Sequence, residues 1–98
     1  MSTTREFAID ADHPALEGHF PGDPLVPGSL ILDLVIAGEP LLRGRPLRIE
    51  SVKFLAPLRP KQRVSVEYRE LAPDRLSFAC RVGRVLICKG QISPANPP

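Results

Sequence analysis

Between Glu17 and Gly28 the chain sets three prolines and three glycines within 12 residues, and the run from Ser29 to Ala37 that follows is apolar at nearly every position. Proline fixes φ and lacks an amide donor, so the first stretch can be neither helix interior nor central strand. Phe20, Leu25 and Val26 lie within it, which predicts a rigid loop packed on something rather than a solvated linker. By periodicity alone the run after it admits either a buried helix or a buried strand. Pro27-Gly28 ahead of the run and its Leu and Ala content favour helix. Gly38-Glu39-Pro40 should end or kink it. Only Ser29 and Asp33 interrupt its apolar surface, the pattern of a helix surrounded by protein.

The rest of the chain reads as strands. Phe7 and Ile9 alternate with polar neighbours over Arg5–Asp10, and Asp12-His13-Pro14 should stop that strand. Leu47 to Leu55 alternates imperfectly, with Leu47, Ile49, Val52 and Phe54 as its apolar positions. Val64, Val66 and Tyr68 mark one face of a clean strand over Arg63–Glu70. After a turn at Ala72-Pro73-Asp74-Arg75, the residues Leu76, Phe78, Cys80 and Val82 share a face. Val82-Gly83 then turns the chain into Val85–Ile92, and residues 94–98 should fray. One helix followed by a meander predicts an α+β domain with the antiparallel sheet curled around the helix.

At 98 residues the chain is expected to form one domain (1–98, with a core over 5–93) that buries only a modest share of its surface. Oligomerisation would supplement such a core. The net charge of +2 does not demand nucleic acid as the partner. The apolar run falls far short of the roughly 20 residues that cross a bilayer, and the N-terminal residues lack a signal-peptide core. Two cysteines and two histidines have neither disulfide-framework nor zinc-site spacing. A reduced, cytoplasmic setting without membrane or nucleic acid is the expectation.

Asp33 carries the chemistry. A carboxylate buried in an apolar helix costs several kcal/mol unless it is paired, hydrogen-bonded or protonated. Taken singly, Asp33 reads as a carboxylate that caps a loop or meets an arginine, His19 as a loop histidine satisfied by backbone, and Gly28 as a turn glycine. Together they offer an acid–base pair beside the free amides of a helix N-terminus.

The segment Gly18-His19-Phe20-Pro21-Gly22-Asp23-Pro24-Leu25-Val26-Pro27-Gly28-Ser29-Leu30-Ile31-Leu32-Asp33 resembles the signature of bacterial 3-hydroxyacyl-(acyl carrier protein) dehydratases. The run Phe7–Leu16 is similar to the short aryl-polyene members, and Ile49–Pro60 resembles the strand that leaves their helix. The resemblance implies the hotdog fold, a sheet wrapped around a central helix, and a dimer whose histidine and acid come from different subunits. It implies His19 and Asp33 as catalytic residues. Gly28, Phe20, Pro27 and Phe54 are its implied substrate-binding residues, with the Gly28 N–H on the thioester carbonyl. The family usually carries glutamine four residues after the acid, where this chain has Ala37.

The implied reaction is loss of water from a 3-hydroxyacyl thioester to give the trans-2-enoyl thioester, in fatty-acid or polyene biosynthesis, with no metal and no organic cofactor. An imidazole titrating near neutrality suits removal of the α-proton. The alternatives are a non-catalytic hotdog subunit that binds acyl groups or supports a partner, and after it an acyl thioesterase. The implied partners are an acyl carrier protein and a second copy of the chain, with a heterodimer of related subunits as the other arrangement. Arg43, Arg45, Arg48, Lys53, Arg59, Lys61 and Arg63 fall within 21 residues containing only Glu50 as an acid. They form either a landing surface for an acidic carrier or an unevenly charged solvated face. His13 is read as a structural loop residue, and Cys80 and Cys88 as small apolar strand residues.

Overall fold

A computed structural model describes residues 2–16, 25–40, 42 and 44–95. Its elements follow in the order β1 (Ser2–Phe7), a 3-10 turn (Pro14–Leu16), α1 (Gly28–Ala37), β2 (Leu47–Phe54), β3 (Val64–Ala72), β4 (Arg75–Val82) and β5 (Val85–Pro94). The five strands form one antiparallel sheet in the order β1-β3-β4-β5-β2. α1 therefore connects the two edge strands, and β3 to β5 form the meander read from the alternating pattern. Helix, sheet and connectivity are those of the expected hotdog. Among the described residues no helix is long and apolar enough to cross a membrane.

Period-2 alternation sorts the sheet into two faces. Val64, Val66, Tyr68, Phe78, Cys80, Cys88 and Ile92 turn inward and are buried with Ile31 and Val35 of α1. Cys80 lies directly opposite Cys88, and both are reduced and packed as small apolar residues. Their thiols hydrogen-bond each other, which pushes the pKa of Cys80 up and that of Cys88 down. The imperfect alternation of β2 has a structural cause. The pairing with β5 shifts between Ile49 and Ser51, so the inward parity changes from Leu47 and Ile49 to Val52 and Phe54. At that irregularity Ser93 donates a hydrogen bond to the Glu50 carboxylate at 2.7 Å.

Three sequence expectations need correction. Residues 94 and 95 do not fray, since Pro94 pairs with Leu47 at the end of β5 and the Ala95 N–H donates to the Pro46 carbonyl at 3.0 Å. The first strand ends at Phe7 rather than Asp10, because its pairing with β3 stops at Phe7–Val64. Ile9 is nevertheless buried, and its carbonyl accepts from Lys61 N–H at 2.7 Å. The helix is also not enclosed on all sides. Ile31 and Val35 face the sheet, while Ser29, Asp33 and Ala37, four residues apart, form an exposed stripe. The Asp33 carboxylate is thus open to solvent within one chain.

Tyr68 fixes the far end of the helix. Its buried hydroxyl donates to the Val35 carbonyl at 2.5 Å, one of the last-turn carbonyls that has no intrahelical donor. Gly38 makes room for it, since a Cβ there would sit 2.8 Å from the Tyr68 oxygen. Burial, with Cys80 and Glu39 nearby, pushes the Tyr68 hydroxyl up to about 12 from its usual 10.0.

Tyr68→Phe should cost about 1–3 kcal/mol by leaving that carbonyl unpaired. Because the folded state holds the Tyr68 proton more tightly than the unfolded one, this contribution is complete below pH 10 and declines as the pH rises through about 12. Urea unfolding of both proteins across that range should show the decline in wild type and a flatter profile in the variant.

Gly90 is more tightly enclosed still. A Cβ at Gly90 would lie 2.2 Å from the Ser51 carbonyl oxygen and 2.8 Å from the Phe78 ring. Gly90→Ala should therefore cost about 3 kcal/mol or more, measured by the same unfolding assay.

Candidate active site

The N-cap residue at the helix start supplies no side-chain cap of its own. Pro27 occupies the N-cap position in an extended conformation. Its carbonyl accepts from Leu30 and Ile31 N–H at 3.1 and 3.2 Å. Gly28 and Ser29 are then the first-turn amides without an intrahelical acceptor, at the positive end of the helix dipole. One residue earlier, Val26 N–H donates to the Leu58 carbonyl at 2.8 Å. That bond ties the approach to α1 against the segment leaving β2.

The Phe54 ring lies directly on Gly28. A Cβ at residue 28 would meet the ring at 2.7 Å, so only glycine permits this approach. Leu25, Val26, Ile31, Leu55 and Leu58 join Gly28 and Phe54 around an open apolar groove of about 550 Å³. Phe54 and Leu55 are each about half exposed along it.

Gly28 and Phe54 therefore come together at the groove, with Pro27 preceding Gly28 at the helix start. Asp33 does not join them. Five residues separate it from Gly28, which turns the two about 140° apart around the helix. Gly28 faces the groove and the Asp33 carboxylate faces away from the sheet. His19 and Phe20 lie outside the described residues. His13 shapes a turn, its N–H on the Asp10 carbonyl and its own carbonyl on Leu16 N–H.

Sequence reasoning did not anticipate the second wall of the groove. Its signal was present in the apolar pair Leu25-Val26 between prolines, and in Leu55, which breaks the alternation beside Phe54. The basic run is divided along the fold. Arg45 and Arg48 sit where β2 begins, whereas Arg59, Lys61 and Arg63 lie beyond its far end. Arg63 pairs with Glu6 at 3.1 Å. Arg43 lies outside the described residues.

Residues 1–91 match the family model of the ApeI-like dehydratases. The chain belongs to the ApeI-like dehydratase family. It is 29% identical over 89 residues to the 3-hydroxyacyl-(acyl-carrier-protein) dehydratase FabZ of Thermomicrobium roseum, covering 81% of this chain and 59% of that protein. The chain spans about half the length of the curated relatives it matches. Among solved structures, the dehydratase heterocomplex ApeI:P from Xenorhabdus doucetiae superposes with a TM-score of 0.79 at 25% identity, over 97% of this chain and 88% of that one. The dehydratase domain of PpsC from Mycobacterium tuberculosis shares the fold with a TM-score of 0.78 at 14% identity, over 99% of this chain and 40% of that one.

The contact between Gly28 and Phe54 is testable directly. Gly28→Ala should displace the Phe54 ring, which is free to swing because it is half exposed, at a stability cost below about 1 kcal/mol. The ring resonances of Phe54 in NMR spectra should shift, and unfolding midpoints should barely move.

Proposed function

We propose that this chain removes water from a 3-hydroxyacyl thioester held on an acyl carrier protein, giving the trans-2-enoyl thioester, within a dimer of hotdog subunits in the cytoplasm. The observation that carries the reading is the split arrangement on α1. Gly28, at the N-terminus of α1, lines the groove with Phe54, while Asp33 lies exposed on the stripe it shares with Ser29 and Ala37. A carboxylate so placed serves a site whose other half a second subunit supplies.

The edge strand β2 supports that assembly. It carries Ile49 at 43% and Phe54 at 48% exposure, with Leu55 at 52% just beyond, on an edge that no strand among the described residues covers. Exposed apolar edges of this kind invite pairing with another strand. Both a second copy and a related subunit fit, and the similar Xenorhabdus doucetiae structure is of a heterocomplex.

In this reading His19 takes the proton α to the thioester. Negative charge moves to the thioester oxygen, where the Gly28 N–H and the helix dipole stabilise it. Asp33 gives its proton to the departing 3-hydroxyl, the C–O bond breaks and water leaves. Transfer of the abstracted proton from His19 back to Asp33, through water, restores both groups. Phe54, Pro27 and Phe20 line the acyl path, and the balance requires neither metal nor organic cofactor.

Mass spectrometry of a 3-hydroxyacyl-carrier protein after incubation with wild type, His19→Ala and Asp33→Asn tests this. Wild type alone should remove one water, with each variant slower by at least about 100-fold. An intact substrate in all three, from a folded dimer, would favour a non-catalytic subunit. Release of the free acid would establish a thioesterase instead.

A further inference from the structure

The face of the sheet turned away from α1 brings together cations that are distant in sequence. Lys53 pairs with Lys89, which neighbours Ala79 and then Glu67 across successive strands. The adjacent outward row is Ser51, Gln91, Ser77 and Arg69. Arg81 stands two residues beyond Ala79 on β4. The small residues Ala79, Ser77 and Ser51 leave a hollow of about 420 Å³, rimmed by Lys53, Arg69, Arg81 and Lys89 with Glu67 as its acid.

Nothing in the fold requires this arrangement. Like charges directly opposite on neighbouring strands destabilise a sheet, as Lys53 and Lys89 must. Among the described residues no ion pair holds Lys53, Arg69, Arg81 or Lys89. An anion of complementary shape would remove that repulsion. The hollow has no exposed aromatic ring on which a nucleobase could stack, since Phe78 is buried. It also has no large exposed apolar side chain to enter a membrane. A carboxylate-rich protein surface is the partner that remains.

Lys53 also stands next to the site. Phe54, the following residue, turns to the opposite face and covers Gly28, so the cationic hollow and the apolar groove flank the same end of β2. We propose that the outer sheet face at Lys53, Arg69, Arg81 and Lys89 docks the acidic surface of the acyl carrier protein. This rests on the carrier-linked reading above. The tethered acyl group then rounds the end of β2 near Leu55 and Pro57 to enter the groove between them and Gly28.

The double variant Arg81→Glu/Lys89→Glu tests this with two substrates, the carrier-bound 3-hydroxyacyl group and the same group on N-acetylcysteamine. Docking predicts a fall of about tenfold or more in kcat/KM for the carrier substrate, a weaker dependence on salt, and an unchanged rate with the small thioester. Equal losses on both substrates, or no loss on either, would overturn it. If wild type dehydrates neither substrate, the catalytic reading fails, and docking is read separately. Fluorescence anisotropy of labelled apo-carrier protein at low salt should then show binding by wild type and not by the variant. Equal binding, or none by wild type, would sink the docking surface.

Discussion

The grip of the sheet on α1 sets everything else in this chain. Ile31 and Val35 bury against the inner face, and the Tyr68 hydroxyl takes the Val35 carbonyl, which fixes how the helix is rotated. Rotation decides function here, because a helix of 10 residues offers different chemistry on each side. With Val35 held inward, Gly28 turns to the Phe54 ring and Asp33 turns out. Gly38 belongs to the same device, since a side chain there would displace the hydroxyl that makes the bond. The helix is short because Pro40 follows so closely, and one well-placed hydrogen bond does for its last turn what further turns would do in a longer helix.

Much of the fold was legible because its code is local. Alternation in β3 and β4 gave their inward faces directly, and the break in alternation between Ile49 and Val52 carried the β2 irregularity in plain form. The helix began at Gly28 and ended before Gly38, as its flanking residues required. The end of β1 was less legible, because Ile9 is apolar for a reason other than pairing. It plugs the core beyond the last ladder position.

The candidate site was harder to read for a different physical reason. Residue types in α1 revealed that Asp33 was out of place in an apolar run, but not which way it points. An apolar helix looks the same in sequence whether its own chain or another covers its second side. Exposure of Ser29, Asp33 and Ala37 in the folded chain separates the two cases. Leu30, Leu32, Leu34 and Ile36 are only partly buried, so apolar surface flanks the exposed acid. The dimer proposed above would cover that surface.

Charge gave the opposite lesson. Seven basic residues close together in sequence suggested a patch, yet β2 is extended, and about 3.3 Å per residue carries Arg48 and Arg59 far apart. Strand pairing does the reverse for Lys53, Arg69, Arg81 and Lys89, drawing residues from four strands to within a few strand spacings of about 4.8 Å. A linear count of charges therefore measures composition, whereas the electrostatic surface follows register. The sheet consequently has two unlike faces. Its inner face is apolar and holds the helix that bears the amides and the acid, and its outer face is polar and cationic. β2 is where they come closest, with Lys53 on one side and Phe54 on the other. Under the proposed function, carrier docking and shelter of the acyl chain would share one strand, whose single backbone segment would fix the distance between docking and chemistry.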